Sequence, residues 1–386
     1  MRRSLVRTPL CLAAFGLLPV ASSLQAGEPV STATAPAAAE QSIFDRIWGL
    51  PVLYSNEDNP FIQEFALKGR LNFDWFSFEN EDKDDSDWVV RRIRLGAQMK
   101  FLREFTLHGE ADFDPQNADP SYTKLTDAYL KWSPEKEFNL IVGKHSAKFT
   151  LDGSTSSTQL ITLDRCNLAN NLWFSEEYLP GISVNGEVGK WLYNVGYFSS
   201  GEKSKEFGDF NAGSFGLASL GYNFSEALGV DKAVLRADYV YQDENPGNTF
   251  TKSFEGIESL NFLFEDGRWG LATDVVAGQG YGSQPDLFGL EIMPSYYFAP
   301  GFQAVFRYTY MNSDGDNGIR FARYENRLDS GRGDEYQEFY AGVNWYLYGH
   351  KAKLQAGVQY TMMDDAAGDG GDYSGWGVTT GLRISW

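Results

Sequence analysis

The side chains that most often do chemistry in proteins are few and scattered in this sequence. The three histidines, His108, His145 and His350, do not stand at the spacing of a shared metal site, so each is interpreted as an ordinary polar residue. Cys166 also lacks metal-type neighbours in the sequence and is interpreted as a small buried side chain. We therefore expect no catalytic residue, no bound metal and no cofactor.

The basic residues indicate a more specific chemistry. Arg91, Arg92 and Arg94 follow one another closely. Guanidinium groups match the geometry of phosphate through paired hydrogen bonds, and basic side chains that line a pore favour anions. A second interpretation stays open, in which these arginines form ion pairs with acids such as Asp112 and neutralise them.

The elements that position these residues have the pattern of long strands. From Phe61 onward apolar and polar residues alternate, and alternate residues of a strand face opposite sides. In the first clear segment, the apolar parity consists of Phe65, Leu67, Gly69, Leu71, Phe73 and Trp75. The segments run about 9–11 residues, which is the length that crosses a bilayer at a tilt. Because every backbone amide in lipid needs a partner, such strands must close into a barrel.

Roughly sixteen segments of this kind can be counted, an even number within the range of membrane barrels, and fourteen or eighteen also fit. The first two lie at residues 63–76 and 88–101. The last segment ends on Trp386 and is typical of the terminal strand of bacterial outer-membrane proteins. We predict an all-β fold, a transmembrane antiparallel β-barrel over residues 61–386. Long connections, such as residues 311–333, are expected to face outward.

The start of the chain has the features of an export signal. A basic start precedes an apolar stretch that ends near Val20, and Ala26 offers a cleavage point, which predicts a signal peptide over residues 1–26. Residues 27–60 are predicted to be a flexible leader, with room for a short helix after position 42. The formal charge of −19 argues against binding to nucleic acid.

Several short segments resemble the phosphate-selective porin O and P family. They are Arg91-Arg92-Ile93-Arg94-Leu95, Leu125-Thr126-Asp127-Ala128-Tyr129, Leu163-Asp164-Arg165 and residues 340–346. The resemblance extends over most of residues 60–386. It implies a sixteen-stranded barrel in the bacterial outer membrane, usually a homotrimer. It also implies that the third extracellular loop, residues 147–178 here, folds into the lumen and forms a basic constriction.

The resemblance also implies, by position, which residues bind an anion at that constriction. They are Arg70, Arg91, Arg92, Asp127, Ser156, Ser157 and Arg165. Because Arg91 and Arg92 have opposite parity, both can face the pore only through a bulge or a strand end. The sequence departs from the family in one respect. Family members carry lumenal arginines along several strands, whereas residues 179–223 contain no arginine.

The expected function is therefore a porin that lets small solutes diffuse passively through a water-filled channel. Phosphate or another anion is one class of solute, and a general or sugar-permeable, cation-preferring pore is the alternative. Outer-membrane lipid and lipopolysaccharide are the expected surroundings. Two readings of another class are a structural barrel and an outer-membrane hydrolase. No serine motif accompanies His108, and the polar lumenal faces favour an open channel over a closed core.

Overall fold

The alternating segments form one antiparallel sheet that closes on itself. The computed structural model describes residues 42–116, 121–172, 178–200, 206–208, 210–211, 213–245 and 252–386. The sixteen barrel strands among them are β1 Ile62–Asn80, β2 Asp84–Phe101, β3 Phe105–Phe113, β4 Tyr122–Glu135, β5 Phe138–Ser146, β6 Tyr178–Val188, β7 Trp191–Ser199, β8 Ser214–Asn223, β9 Lys232–Gln242, β10 Phe254–Asp266, β11 Trp269–Gly280, β12 Leu287–Ala299, β13 Phe302–Ser313, β14 Glu335–Tyr348, β15 Ala352–Asp364 and β16 Tyr373–Ser385. Each strand pairs with the next, and β16 pairs with β1 and closes the barrel.

The two faces of the barrel differ as the alternation predicts. On β1, Leu67 and Phe73 are 43% and 37% exposed on the outer face. Asn72 and Asp74 are buried on the inner face of the same strand. An apolar outer band and a polar interior are what a bilayer demands of a barrel that surrounds water. The predicted all-β, sixteen-stranded antiparallel barrel is confirmed.

The longest strand pair contains the irregularity that the parity of the arginines predicted. Asn72 lies opposite Arg92, but Phe73 lies opposite Val90, so Arg91 is an extra residue on β2. Such a β-bulge lets two successive side chains share one face. The strands also extend beyond the predicted 63–76 and 88–101, since their pairing continues to Glu79 and Asp84.

A short N-terminal segment packs against β1, β14 and β16 and stabilises the closed barrel. Helix α1 Ile43–Gly49 is followed by a four-residue strand, Val52–Ser55, which pairs with β1. The indole N–H of Trp48 donates to the carbonyl of Ser385 at 2.6 Å, and its ring packs 5.1 Å from that of Tyr348. The short helix expected after position 42 is therefore present. The predicted signal peptide, residues 1–26, and residues 27–41 of the leader lie outside the described residues.

Three further helices of the described residues lie in two connections that enter the barrel. One connection carries α2 Leu151–Ser154 and α3 Asn167–Leu172. The other, residues 314–334, carries the paired two-residue strands Ile319–Arg320 and Arg332–Gly333 with helix α5 Glu325–Leu328 between them. A further single-turn helix, α4 Ser225–Leu228, lies in the connection between β8 and β9. In the described part of the chain, the helices are too short or too polar to cross a membrane.

Both inward connections are held by apolar packing. Leu168 and Leu172 from the first, and Ile319 and Tyr324 from the second, belong to one buried cluster together with lumenal residues such as Phe76. The inward fold of the third loop agrees with the resemblance. Residues 311–333 were predicted to be a long connection on the outward side of the barrel, and the structure adds that this connection folds into the lumen. Its apolar residues explain the inward path, because they lose contact with water by packing inside the lumen.

We predict that Trp48→Ala weakens the closed barrel. The substitution removes the hydrogen bond to Ser385 and the ring contact with Tyr348, which together contribute about 1–3 kcal/mol. Thermal unfolding in detergent, followed by the mobility shift between folded and unfolded protein on gels, measures the change. Ile47→Ala is the control, because Ile47 lies on the same helix and is 47% exposed. An equal loss of stability in both variants would contradict this stabilising role.

Candidate functional site

The first inward connection, residues 147–172, crosses the lumen without joining the sheet, so its backbone carbonyls need donors from elsewhere. We call it the constriction loop. Side chains on the inner face of five strands supply these donors. They pair as Arg236 with Thr150 (2.8 Å), Asn344 with Ile161 (2.8 Å), Lys353 with Leu160 (2.5 Å), Arg383 with Leu163 (3.1 Å) and Arg307 with Asp164 (3.0 Å). The wall from β9 to β16 thus fixes the position of the loop.

The loop is also held by its own side chains. Arg165 donates to the carbonyls of Asp152 and Thr155 at 2.8 and 2.5 Å. The Asp152 carboxylate accepts the backbone N–H of Cys166 at 2.7 Å. Arg165 is only 7% exposed, so the geometry gives this predicted anion-binding residue a role in holding the loop together.

One buried group at the loop combines metal-ligand types. Asp152, Cys166 and Glu291 bring a thiol and two carboxylates within 4.8 Å of one another. Burial, followed by the negative charges of Glu291 and Asp152, raises the pKa of the Cys166 thiol well above its ordinary value. A protonated thiol is a donor, and its Sγ lies 3.2 Å from a Glu291 oxygen. Hydrogen bonds link Cys166 to Asp152 and to one oxygen of Glu291, and the predicted burial of Cys166 is confirmed.

The centre of the candidate site is Asp164 in the constriction loop. Arg91 Nη2 lies 3.1 Å from Asp164 Oδ1, Arg92 Nη2 lies 4.0 Å from the same oxygen, and Arg323 Nε lies 3.8 Å from Oδ2. Burial favours the protonated carboxyl, but the three arginines outweigh it and hold the pKa of Asp164 well below its ordinary value. Three positive charges therefore surround one negative charge. We call these four residues the Asp164 cluster.

A second predicted contact joins the barrel wall to the constriction loop. Arg70 donates to the hydroxyl of Ser157 at 2.7 Å and to Glu110 at 3.0 Å. The structure thus brings together two predicted residues, Arg70 and Ser157, that are far apart in the sequence. A hydroxyl beside a guanidinium is a pair of donors that an oxyanion can use.

The remaining two predicted residues have other neighbours. Ser156 is exposed and its hydroxyl lies 3.0 Å from that of Thr158. Asp127 lies opposite Glu110 in the register of β3 and β4. Of the predicted set, Arg91 and Arg92 belong to the Asp164 cluster itself.

Most lumenal carboxylates are neutralised by an arginine on the wall. The pairs are Arg70 with Glu110 (3.0 Å), Arg94 with Asp112 (3.3 Å), Arg307 with Glu338 (2.9 Å), Arg236 with Asp238 (2.9 Å) and Arg383 with Asp74. The open interpretation of the arginine run, pairing with Asp112, is therefore true of Arg94. Arg91 and Arg92 have Asp164 as their carboxylate neighbour instead.

Sequence reasoning did not select two members of the Asp164 cluster, Asp164 and Arg323. Asp164 stood within the Leu163-Asp164-Arg165 segment, but the resemblance assigned no role to it. Arg323 is one of four arginines between positions 320 and 332, the others being Arg320, Arg327 and Arg332. That density was a usable signal, and it was passed over because the loop was expected to face outward.

Comparisons with known proteins agree with this geometry. A family model described as phosphate-selective porin O and P matches residues 65–255. An uncharacterized protein of Aquifex aeolicus (strain VF5) is 25% identical over 151 residues, which are 34% of this chain and 36% of that protein. The match thus covers about a third of that curated relative's length.

Solved porins have the same fold. The anion-selective porin from Comamonas acidovorans aligns with a TM-score of 0.59 and 11% identity, over 83% of this chain and 99% of that chain. OprB of Pseudomonas putida aligns with a TM-score of 0.60 and 9% identity, over 83% and 94%. The outer membrane channel DcaP of Acinetobacter baumannii aligns with a TM-score of 0.57 and 14% identity, over 86% and 100%.

The closed barrel, the loop inside it and the family match together define an outer-membrane porin. Its place is the bacterial outer membrane. The match over residues 65–255 confirms the predicted resemblance to the phosphate-selective porin O and P family.

We predict that the second inward connection, residues 314–334, loosens as the pH rises. Burial, then the charge of Glu338, raises the pKa of Glu325 from 4.5 to about 7. A carboxyl with a raised pKa holds its proton more tightly in the folded protein. Its contribution to stability is complete below pH 4.5 and is lost as the pH rises through about 7.

Limited trypsin cleavage after Arg323 and Arg327, measured between pH 5 and pH 8.5, tests this. Cleavage should increase with pH beyond the change in trypsin activity on a peptide standard. Glu325→Gln keeps the hydrogen-bonding shape and should flatten that increase. The idea fails if wild-type protein and the Glu325→Gln variant show the same pH dependence.

Proposed function

We propose that this porin forms a water-filled channel for small solutes and prefers phosphate-sized anions. The observation that carries the proposal is the Asp164 cluster, in which three guanidiniums surround one carboxylate at the narrowed part of the lumen. The excess positive charge lies where the loop restricts the path, so it acts on every solute that passes.

The physics of the constriction supports an oxyanion as the solute. An anion that loses water there needs charge and hydrogen bonds in return. The guanidinium fork binds phosphate through two parallel bonds, and Arg70 with Ser157 offers two further donor groups nearby. The paired arginines elsewhere on the wall add little net charge, so the Asp164 cluster dominates the local field.

A general pore without anion preference is the second candidate. The five wall pairs, in which arginine and carboxylate cancel each other, favour it. Asp274 and Glu291 also place buried carboxylates on the far side of the barrel. The two candidates differ in one measurable quantity, the sign of the reversal potential under a salt gradient.

We also propose that the protein assembles as a homotrimer surrounded by outer-membrane lipid and lipopolysaccharide. One porin of the same fold, OmpT of Vibrio cholerae, is described in a trimer form. Crosslinking in outer-membrane vesicles, followed by the mass of the complex in detergent, tests the assembly.

We predict that Arg91→Gln weakens phosphate block of the channel. Removing this guanidinium takes one positive charge from the Asp164 cluster and so weakens its field on the lumen, which lowers phosphate affinity by about tenfold. Single channels in planar bilayers give the reversal potential under a chloride gradient, and then the phosphate concentration that halves the chloride current. The wild-type channel should favour anions and be blocked by phosphate.

Arg103→Gln is the matched control, because Arg103 lies in the turn between β2 and β3, outside the cluster. It should leave both quantities at their wild-type values. Wild-type current that is cation-selective or insensitive to phosphate would contradict the anion preference and support the general pore. Complete absence of conductance steps would contradict the channel itself.

A further inference from the structure

The second inward connection, residues 314–334, is built into the wall and the constriction loop. The Tyr324 hydroxyl donates to Asp74 at 2.9 Å, and its ring stacks 4.5 Å from that of Phe76. The side-chain amides of Asn167 and Asn171 donate to the carbonyl of Arg320 at 2.8 and 2.9 Å. We call this connection the arginine loop. Its contacts place it against the constriction loop rather than in the outer solvent.

The exposed fraction of its side chain distinguishes Arg323, in the arginine loop, from the arginines on the barrel wall. The Arg323 side chain is 49% exposed, compared with 8% for Arg91, 1% for Arg92 and 15% for Arg70. A permeating ion can touch only a group that water also reaches. Arg91 and Arg92 therefore act on the lumen through their field, whereas Arg323 can bind directly.

Arg323 makes no short hydrogen bond with Asp164. Their separation of 3.8 Å is an ion pair but too long for a hydrogen bond. Asp164 has its short contact with Arg91 at 3.1 Å. The charge of Arg91, and then burial, lower the pKa of the Arg323 guanidinium, which shows that like charges are crowded at this point. An oxyanion placed there would relieve that repulsion.

The same loop carries positive charge farther along the path. Arg320 lies directly opposite Arg332 in the short antiparallel ladder of the loop. Like charges directly opposite one another in a ladder repel, so an anion bound between them would stabilise the pair. Burial, and then the charge of Arg332, lower the pKa of Arg320.

We propose that the arginine loop supplies the direct anion-binding residues of this channel, with Arg323 at the constriction and Arg320 and Arg332 along the approach to it. The loop takes the place of the arginines that the strands between residues 179 and 223 lack. This inference rests on the anion preference proposed above and names the residues that contact the anion.

Planar-bilayer recordings of the full protein test the proposal with inorganic phosphate as the probe, added in turn to each side. Arg323→Gln should raise the half-blocking phosphate concentration by about tenfold, which corresponds to the loss of one charge-assisted contact. Arg323→Lys keeps the charge and should retain most of the block. Mobility on gels before and after heating confirms that each variant is folded.

Arg327→Gln is the matched control. Arg327 lies four residues later in the loop and is 43% exposed, but its guanidinium is held by Asp85 at 2.5 Å. A tenfold effect of Arg323→Gln with little effect of Arg327→Gln supports the proposal. Wild-type block in the Arg323→Gln variant overturns it, and so does an equal loss in both variants, which would show that only loop placement matters.

The two proposals fail in different ways. If wild-type channels show no anion preference and no phosphate block, the proposed function is wrong and the inference falls with it. If wild-type channels are blocked, and Arg91→Gln abolishes block while Arg323→Gln does not, the proposed function stands and the arginine loop is excluded as the contact.

Discussion

The structure depends on one constraint: a loop inside a water-filled barrel must have its backbone carbonyls satisfied by something other than a neighbouring strand. The constriction loop meets it with donors from the opposite wall, among them Lys353, Arg307 and Arg383. These side chains are long enough to reach across part of the lumen and carry more than one N–H. The loop position, and with it the width of the pore, follows from where the strands place these donors.

The same constraint determines where positive charge is not balanced by a carboxylate. Arg307 and Arg383 bind a loop carbonyl and a wall carboxylate at once, so their charge is balanced. Asp164 is different because it meets three arginines from two separate parts of the chain, β2 and the arginine loop. Positive charge in excess therefore concentrates at the constriction loop rather than along the whole wall. An anion preference can arise in this way even in a chain with a formal charge of −19.

Much of the fold could be predicted from the residues because alternation has a direct physical cause. Strand β1 presents Leu67 and Phe73 to the lipid and Asn72 and Asp74 to the lumen. Any other pattern would expose polar groups to hydrocarbon. The bulge at Arg91 could be anticipated for the same reason, since two successive arginines cannot share a face in a regular strand. Residues in loops follow no two-residue period of this kind. The inward path of residues 314–334 was therefore missed, although its apolar and arginine residues were visible.

By itself the sequence determined the class of fold, the approximate strand count and the irregularity at the arginines of β2, because lipid imposes a strict two-residue period and parity exposes every exception to it. Tertiary structure alone decided which cations anchor the loops and which stay exposed to the lumen. Arg165, predicted to bind an anion, donates to a carbonyl of its own loop, whereas Arg323 reaches Asp164 from 159 positions farther along the chain. Such pairings depend on how two irregular loops pack inside a closed barrel. The spacing of residues along the sequence does not predict that packing, because it depends on the shape of the whole lumen and on the hydrogen-bond donors that line it.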